Sequence, residues 1–418
     1  MYNVSLLTMT GKPYAAIIGV GRTKFGELWY ENPESMVVKA GLDALESVDK
    51  GLHRADIQAC YFGSFMYQVT NKLGLVPGYI SRELGLNVPM TQTEAACASS
   101  SSALHNACLA IKSGIYDVVL VGGFEKMTDR YVKIADDLMF AADPHEFDSG
   151  FTFSGLYATI MTRYMYEFGR NDEKCRVALA QIAVKNHHHA VKNPYAQFRS
   201  EIRVEDVFKS TLVADPIRLL HCSPVSDGAV AVVLCKPEIA KKYTDDPIYI
   251  VASQQATDHV SLFSRISALE IRATRLAVGK ALKEAGIALK DIQIAEAHDC
   301  FTIEECLFME DSGFYRKGEG WKRIYESIDS FGGSKHIPYV GDGWEVFVNV
   351  GGGLKADGHP VGATGLRQVY ECFKQMRNEA GENQVDVEGG IKYALCHNIG
   401  GSGGIANVHV LTRGSDYE

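Results

Sequence analysis

The sequence predicts an α/β fold built from two duplicated βαβαβ-type halves, with an inserted segment in the first half. The main observation is an internal match between ALESVDKGLHRADIQACYFGSF at 44–65 and ALKEAGIALKDIQIAEAHDCF at 281–301. Each stretch reads as a helix, a short connection, Asp-Ile-Gln and an apolar strand, and such internal similarity indicates a repeated unit. A second observation is that residues 125–222 interrupt the repeated order.

The elements around this match follow the same order in both halves. Strand-like runs precede it, helix entries rich in small residues follow it, and strand-like runs close each half: 13–23 and 247–257, 96–114 and 358–376, 227–236 and 403–413. We therefore predict an N-terminal half at 1–245 and a C-terminal half at 246–418. The segment 125–222, rich in Tyr, Phe, Met and His, is predicted to be an inserted loop domain that faces the substrate.

The composition is typical of a globular enzyme. The 418 residues are 46% hydrophobic and 22% charged, and their net charge of −9 with well-mixed acids and bases argues against a nucleic-acid partner. No apolar run approaches the roughly 20 residues of a membrane span, and residues 1–20 lack the basic start of a secretory leader. The ten cysteines show no CxxC spacing, which is typical of reduced, cytoplasmic thiols.

Cys97 is the first candidate nucleophile. It precedes SSSSALHNACLAIKSG, which has hydroxyl residues suited to a helix start and ends with Lys112 and Gly114, a helix stop. A thiol at a helix N-terminus feels the positive end of the helix dipole, so we expect its pKa to be lowered. The alternative is an inert core cysteine, since free cysteine is among the most buried residue types.

His359 and a glycine-rich turn are the next candidates. His359 lies in DGHPVGATG just before a predicted helix, and a histidine at a helix start is biased toward the neutral, proton-accepting form. The alternative is a loop histidine hydrogen-bonded to the backbone. The run CHNIGGSGG at 396–404 can present backbone N–H groups to an oxyanion, although an ordinary tight turn explains paired glycines equally well.

The tetrapeptide HDCF, residues 298–301, places an imidazole, a carboxylate and a thiol where a predicted strand ends. Polar residues at the carboxyl end of a strand in an α/β protein commonly point into a ligand crevice. Thr302 and Glu305 have the spacing of a capping box, so we expect a helix to begin there.

Two other patterns do not predict sites. GVGRTKFG at 19–26 contains GxG, but Lys24 stands where a dinucleotide-binding GxGxxG needs glycine. The consecutive histidines 187–189 suggest a metal, but three consecutive residues of a helix point in different directions, and we predict no metal site.

Taken together, these motifs resemble the thiolase superfamily over essentially the whole chain. ACASSSSA resembles its nucleophile motif, GHPVGATG its general-base motif and HNIGGSGG its closing glycine-rich motif. The resemblance implies a five-layered αβαβα sandwich, with Cys97 as the acyl-accepting thiol and His359 as the base. SPVSDGAVAVV at 223–233 resembles the segment that leads into the last strand of the first half, which implies a substrate-binding role for Ser223.

HDCF is similar to the sterol-carrier-protein-type and archaeal branch, in which this motif supplies the second catalytic thiol, here Cys300. Asn398 then takes the place of the cysteine that other members carry in the closing motif, and Cys396, two residues earlier, is not expected to replace it. The resemblance also implies an oxyanion hole from the backbone N–H groups of Cys97 and Gly400. His298, together with the base, would face the enolate oxygen.

The resemblance implies an acetyl-CoA C-acetyltransferase, or acetoacetyl-CoA thiolase, that uses coenzyme A thioesters as substrates and holds no permanently bound cofactor. It implies a cytoplasmic homodimer or dimer of dimers in the mevalonate route, beside hydroxymethylglutaryl-CoA synthase and a zinc-ribbon/OB-fold scaffold protein. The alternatives are a degradative 3-ketoacyl-CoA thiolase and a CoA-independent C-acyltransferase subunit, which the stretch FEKMTD at 124–129 resembles. The extended stretch at 323–348 departs from the branch, and its aromatic and glycine content suggests an ordered surface loop.

Overall fold

A computed structural model describes residues 11–414 except 71, 73 and 171. The start of the predicted first half, residues 1–10, where the sequence predicts no secretory leader, lies outside the described residues. No helix in the described part of the chain combines the length and the apolar character needed to cross a lipid bilayer.

Strands and helices alternate over most of the described chain. The strands are β1 Ala15–Arg22, β2 Ala59–Gly63, β3 Met90–Thr93, β4 Val118–Lys126, β5 Leu212–Ala214, β6 Ile217–Arg218, β7 Asp227–Cys235, β8 Ile248–Thr257, β9 Ile294–Glu296, β10 Pro338–Gly341, β11 Trp344–Val348, β12 Tyr393–Gly400 and β13 Ile405–Arg413. The helices are α1 Pro33–Glu46, α2 Tyr67–Thr70, α3 Val76–Leu84, α4 Ser99–Lys112, α5 Ile134–Leu138, α6 Pro144–Asp148, α7 Phe153–Tyr164, α8 Glu173–Ala190, α9 Val204–Lys209, α10 Arg272–Ala285, α11 Thr302–Asp311, α12 Gly320–Phe331, α13 Gly353–Asp357 and α14 Thr364–Met376.

The main sheet has the strand order β10-β11-β9-β12-β13-β8-β1-β7-β4-β2-β3. Strands β1, β7, β4, β2 and β3 of the first half lie on one side of the β1–β8 pairing, and strands β8 to β13 of the second half lie on the other. Strands β5 and β6 form a separate two-stranded sheet. Helices α4 and α14 pack against each other and against strands of both half-sheets, while α1 and α10 pack on their own half-sheets. The order α1, half-sheet, α4 with α14, half-sheet, α10 is the predicted five-layered sandwich.

The strands form where long apolar runs are buried on both faces. All eight residues of β1, AAIIGVGR, are buried, which is the pattern of a central strand covered by helices. A Cβ at Gly21 would lie 2.4 Å from the Ala40 carbonyl oxygen of α1, and one at Gly19 would lie 2.4 Å from that of Ala44. The two glycines of GVG therefore allow α1 to pack closely on β1. This packing explains the GxG pattern without a dinucleotide-binding site.

The central helices are slim because they must fit between two sheets. A Cβ at Gly63 of β2 would lie 2.2 Å from the Ser100 backbone nitrogen of α4, and one at Gly365 of α14 would lie 2.6 Å from Ser101 Cβ. Larger residues at these contacts would push the layers apart. Close packing between the layers thus explains the small residues after Cys97. The same packing fixes the position of the start of α4.

The structure corrects two details of the sequence analysis. Helix α11 begins at Thr302, but its N-cap is Phe301 with no side-chain cap hydrogen bond, so the predicted capping box is wrong. Glu305 is instead buried in an ion pair with Lys185, at 2.9 Å. The stretch 323–348 is no surface loop: it contains most of α12 and a β10–β11 hairpin that extends the sheet beside β9. Burial of Tyr339 and Phe347 explains its aromatic content.

Candidate active site

A cavity of about 190 Å³ opens where the two halves and the inserted segment meet. Its walls come from the turn before α4, the loop before α14, the HDCF segment, residues 222–225 and apolar residues of the insert. The second half contributes Cys300 and His359, the first half contributes Cys97, and Phe153 of α7 closes one side. The cavity therefore depends on both halves.

Cys97 sits in a short turn, Ala96–Ala98, directly before α4, and only 9% of its surface is exposed. Ala96 has φ of +50°, a left-handed conformation that costs energy for a residue with a Cβ and re-aims the chain at the cysteine. Burial raises the pKa of the Cys97 thiol to about 12, although a hydrogen bond from the Gly401 backbone N–H acts in the opposite direction. The predicted lowering of this pKa is therefore wrong, because burial outweighs the helix N-terminus.

His359 lies in the loop between α13 and α14, five residues before α14 begins. Its backbone N–H donates to Ser226 Oγ at 2.9 Å, which holds the loop against the segment leading into β7. Burial, and then the positive charge of Arg367, lower the pKa of His359 to about 3. The imidazole is neutral, as predicted, and can accept a proton.

His298 completes a cluster with these two residues. One ring nitrogen of His298, one of His359 and the Cys97 sulfur all lie within 4.8 Å of one another, and the two rings are nearly perpendicular, 5.2 Å apart. The Asn398 amide donates to His298 Nδ1 at 2.9 Å, so the ring proton sits on Nε2. His298 Nε2 is buried without a partner among the described residues, which leaves it free to donate to a substrate oxygen.

A thiol and two imidazoles, here Cys97, His298 and His359, could also bind a metal ion. That the protein holds no metal therefore stays a prediction. The consecutive histidines lie elsewhere and make separate contacts. His187 contacts the Ser200 carbonyl oxygen, His188 contacts Glu201, and His189 contacts the backbone of 337 and 349. They point in different directions, as the helix geometry predicts.

Cys300 faces the same cavity from the HDCF segment and is 7% exposed. The Ser223 backbone N–H donates to the Cys300 carbonyl oxygen at 2.9 Å, and Cys222 pairs with Phe301 in a short antiparallel bridge. Burial raises the pKa of the Cys300 thiol well above its ordinary value, and the nearby charges of Glu304 and Cys97 raise it further. The structure thus brings Ser223 to the cavity wall beside Cys300.

The glycine-rich turn at 396–404 contributes a backbone N–H group to the site and no thiol. Gly401 directs its N–H at Cys97, and its φ of +64° favours glycine. The predicted Gly400 is the last residue of β12, so close to Ala95 that a Cβ would lie 2.3 Å from the Ala95 oxygen. Its role in an oxyanion hole stays a prediction. Cys396 lies with its sulfur 3.6 Å from that of Cys372, outside the cavity wall.

Several supporting residues were not found from the sequence. Glu125, at the end of β4, accepts from the backbone N–H groups of Phe65, Met66 and Gly362, and burial raises the pKa of its carboxyl to about 7. A buried pair between Arg22 and Asp357, with distances of 2.9 and 2.8 Å, ties β1 to α13. Each contact joins residues far apart in the chain, so a local pattern could not reveal it.

Comparison with known proteins covers nearly the whole chain. The family model described as "Thiolase, N-terminal domain" matches residues 15–238, and that described as "Thiolase C-terminal domain-like" matches residues 254–413.

Individual relatives agree with these matches. An "Acetyl-CoA acetyltransferase" of Methanothermobacter thermautotrophicus is 43% identical over 95% of this chain and 99% of its own length. Human "Sterol carrier protein 2" is 32% identical over 93% of this chain and 70% of its own length. The solved "Ltp2-ChsH2(DUF35) aldolase" matches with a TM-score of 0.78 at 21% identity, covering 96% of this chain and 98% of that chain, and so bears on the fold alone.

Proposed function

Because this chain belongs to the thiolase family, we propose that it is an acetyl-CoA C-acetyltransferase that makes or cleaves acetoacetyl-CoA through a Cys97 acyl-enzyme. The observation that carries this proposal is the meeting of Cys97, His298 and His359 within 4.8 Å in a cavity that also contains Cys300. The name of the M. thermautotrophicus relative supports the same activity.

The first half-reaction needs a nucleophile and a proton acceptor. Cys97 and His359 are both neutral at rest, since burial raises the pKa of the thiol and lowers the pKa of the imidazole. The Cys97 sulfur therefore becomes a thiolate as it attacks the acetyl carbonyl of acetyl-CoA, and His359 takes its proton. Coenzyme A leaves as a thiolate, so the acetylation of Cys97 itself does not need Cys300. The coenzyme A thiolate then takes the proton of Cys300, and Cys300 becomes a thiolate.

The second half-reaction forms the carbon–carbon bond. The Cys300 thiolate removes an α-proton from a second acetyl-CoA, and the His298 Nε2–H donates to the enolate oxygen. The enolate carbon attacks the acetyl group on Cys97, the carbon–sulfur bond breaks, and His359 returns its proton to the Cys97 sulfur. Every proton that left a side chain has then been replaced, so the enzyme is regenerated and the same steps can run in reverse.

The apolar walls formed by Ile134, Leu138 and Phe153 suit the acyl chain of a 3-ketoacyl-CoA. The preference for acetoacetyl-CoA over the degradative alternative rests on the name of the M. thermautotrophicus relative.

Two measurements test the proposal. Peptide mass spectrometry after incubation with labelled acetyl-CoA should locate the acetyl group on Cys97, and label on Cys300 or Cys108 would overturn the assignment. CoA-dependent cleavage of acetoacetyl-CoA should be faster than cleavage of longer 3-ketoacyl-CoA. A preference for long chains would favour the degradative alternative.

We further propose a homodimer and a cytoplasmic location. β3 ends the main sheet, has half-exposed side chains and pairs with β2 on one edge, so its other edge can pair with a second copy. Light scattering that finds an active monomer at micromolar concentration would overturn the dimer.

We also propose a complex with hydroxymethylglutaryl-CoA synthase and a scaffold protein in the mevalonate route. Co-purification of these two proteins is the corresponding test.

A further inference from the structure

A buried tyrosine and a buried glutamate lie close to the Cys300 thiol. Tyr157 is on α7 of the inserted segment and is completely buried, and Glu304 is in the first turn of α11 and is 1% exposed. The Tyr157 hydroxyl lies within reach of both the Cys300 sulfur and the Glu304 carboxyl. Its ring stacks on Phe301 with centroids 4.5 Å apart, which fixes its direction.

The polar atoms of this pair are unsatisfied. Neither carboxyl oxygen of Glu304 has a hydrogen-bond partner of standard geometry among the described residues, and the Tyr157 hydroxyl also has none. Leaving such groups buried without partners is costly, so a folded protein that keeps them usually has a use for them. The Tyr157 hydroxyl is therefore a buried donor whose hydrogen bond a charged Cys300 sulfur would complete.

We propose that Glu304, Tyr157 and Cys300 form a hydrogen-bond chain that stabilises the Cys300 thiolate between the two half-reactions. The protonated Glu304 carboxyl donates to the Tyr157 oxygen, and the Tyr157 hydroxyl donates to the Cys300 sulfur. In this chain Tyr157 is a catalytic residue because its hydroxyl donates to the reacting sulfur once that sulfur is charged, and Glu304 is a positioning residue because it acts through Tyr157. This inference rests on the proposed function, since it assumes that Cys300 becomes a thiolate.

The proton balance requires no transfer along the chain. The Cys300 proton leaves on the coenzyme A sulfur in the first half-reaction, and the substrate α-proton replaces it in the second. Neither Tyr157 nor Glu304 gains or loses a proton. The hydrogen bond from Tyr157 strengthens when the sulfur is charged, because a bond to an ionised acceptor is about twice as strong as a neutral one. The bond from Glu304 to Tyr157 strengthens with it, because neighbouring hydrogen bonds polarise one another.

The charged groups around Glu304 decide whether it can remain protonated. Burial, and then the carboxylate of Asp311, raise the pKa of Glu304 well above its ordinary value, while Arg265, Lys317 and the Tyr157 hydroxyl act in the opposite direction. An ionised Glu304 would repel the Cys300 thiolate and would take the Tyr157 hydroxyl as its own donor. The thiolate is therefore best stabilised below the pKa of Glu304.

The experiment separates the two half-reactions. Acetylation of Cys97 is followed by mass spectrometry, and exchange of the acetyl-CoA α-protons with deuterated water is followed by NMR. Tyr157→Phe should lower α-proton exchange and condensation roughly ten- to a hundredfold, the value of a hydrogen bond to a charged group, with Cys97 acetylation unchanged. Tyr164→Phe, on the same helix but away from the cavity, is the matched control and should leave both rates unchanged.

Glu304→Gln provides a second variant that preserves shape. It should lower exchange by only about a few fold, because the amide still donates to Tyr157 but more weakly than the acid. It should also remove the fall in exchange that the wild type shows as pH rises through the pKa of Glu304.

Two results with Tyr157→Phe would overturn the inference: unchanged exchange, or equal losses of acetylation and exchange. The inference would also be overturned if exchange in Glu304→Gln fell with rising pH as it does in the wild type. Wild-type protein that never acetylates Cys97 would instead refute the proposed function.

Discussion

Two groups of a cysteine, a tyrosine and a glutamate lie between α7 and α11, and they differ in how their hydrogen bonds are completed. In the deep group, the Tyr164 hydroxyl donates to Glu310 at 2.6 Å, and Cys306 donates to Tyr164 at 3.3 Å. The backbone N–H groups of Gly318 and Gly320 also donate to this carboxyl. In the cavity group, Tyr157 and Glu304 have no standard partner among the described residues.

The difference separates structure from function. In the deep group the Tyr164 hydroxyl, the Cys306 thiol and Glu310 Oε1 are hydrogen-bonded before any ligand arrives, and Glu310 Oε2 lies 3.4 Å from the Lys317 ammonium. These polar atoms therefore contribute to the stability of the α7–α11 contact. The cavity group is incomplete and lies against the thiol that we assign to proton transfer. The same three residue types thus stabilise the fold in one place and remain available for chemistry in the other.

The largest expected contrast is between the two cysteines. Cys300→Ala should lower condensation and cleavage by roughly 10²- to 10⁴-fold, because a positioned acid–base group contributes about that much, while Cys97 acetylation survives. Cys306→Ala should retain the rates and lose only some stability. Assays of acetoacetyl-CoA cleavage by both variants test this. Near wild-type cleavage by Cys300→Ala would place the second thiol elsewhere, and Cys396 would be the first residue to examine.

A second contrast concerns pH and stability. The folded-state pKa of Glu304 is raised, so its contribution to stability is complete below the unfolded pKa, about 4.3, and is lost as pH rises from there through the folded value. Glu304→Gln removes this loss, so its advantage in the free energy of unfolding should grow from pH 4 upward. Urea denaturation of both proteins at pH 4, 5.5 and 7 tests this prediction. A constant difference would show that Glu304 ionises normally.

The smallest contrast is between the two tyrosines and concerns the free energy of unfolding. The variant that lowers activity, Tyr157→Phe, should lose less stability than Tyr164→Phe. Tyr164→Phe removes a donor from the buried Glu310 and should cost about 1–3 kcal/mol in the free energy of unfolding. Tyr157→Phe removes no completed hydrogen bond and should cost less than about 1 kcal/mol. Thermal or urea denaturation distinguishes them. Equal losses would mean that the Tyr157 hydroxyl is already bonded at rest.

The sequence was sufficient for the strands, the central helices and the residues carried by short motifs. Apolar runs such as that of β1 and small-residue helix entries such as that of α4 are local patterns, and the family resemblance linked Cys97, His298, Cys300 and His359. The structure brings Cys97, Cys300 and His359 to one cavity and places His298 directly beside Cys97 and His359.

The residues that the sequence did not reveal act across long separations or through burial. Tyr157 lies in an insert without a clear period, and its position depends on how that insert folds against HDCF. Burial also reversed the expected pKa shift of Cys97, because the helix-end effect is local but desolvation depends on the whole fold. The capping box failed for a related reason, since the carboxylate of Glu305 is taken by Lys185.

The positions of Cys97 and His359 have a consequence for the symmetry of the molecule. Each lies at the entrance to the central helix of its own half, α4 in one and α14 in the other, so the duplication relates their positions. Two identical halves would present either two thiols or two imidazoles to each other, and neither pair can both attack a carbonyl and accept the proton. The reaction therefore depends on broken pseudo-twofold symmetry, and the halves can no longer be exchanged.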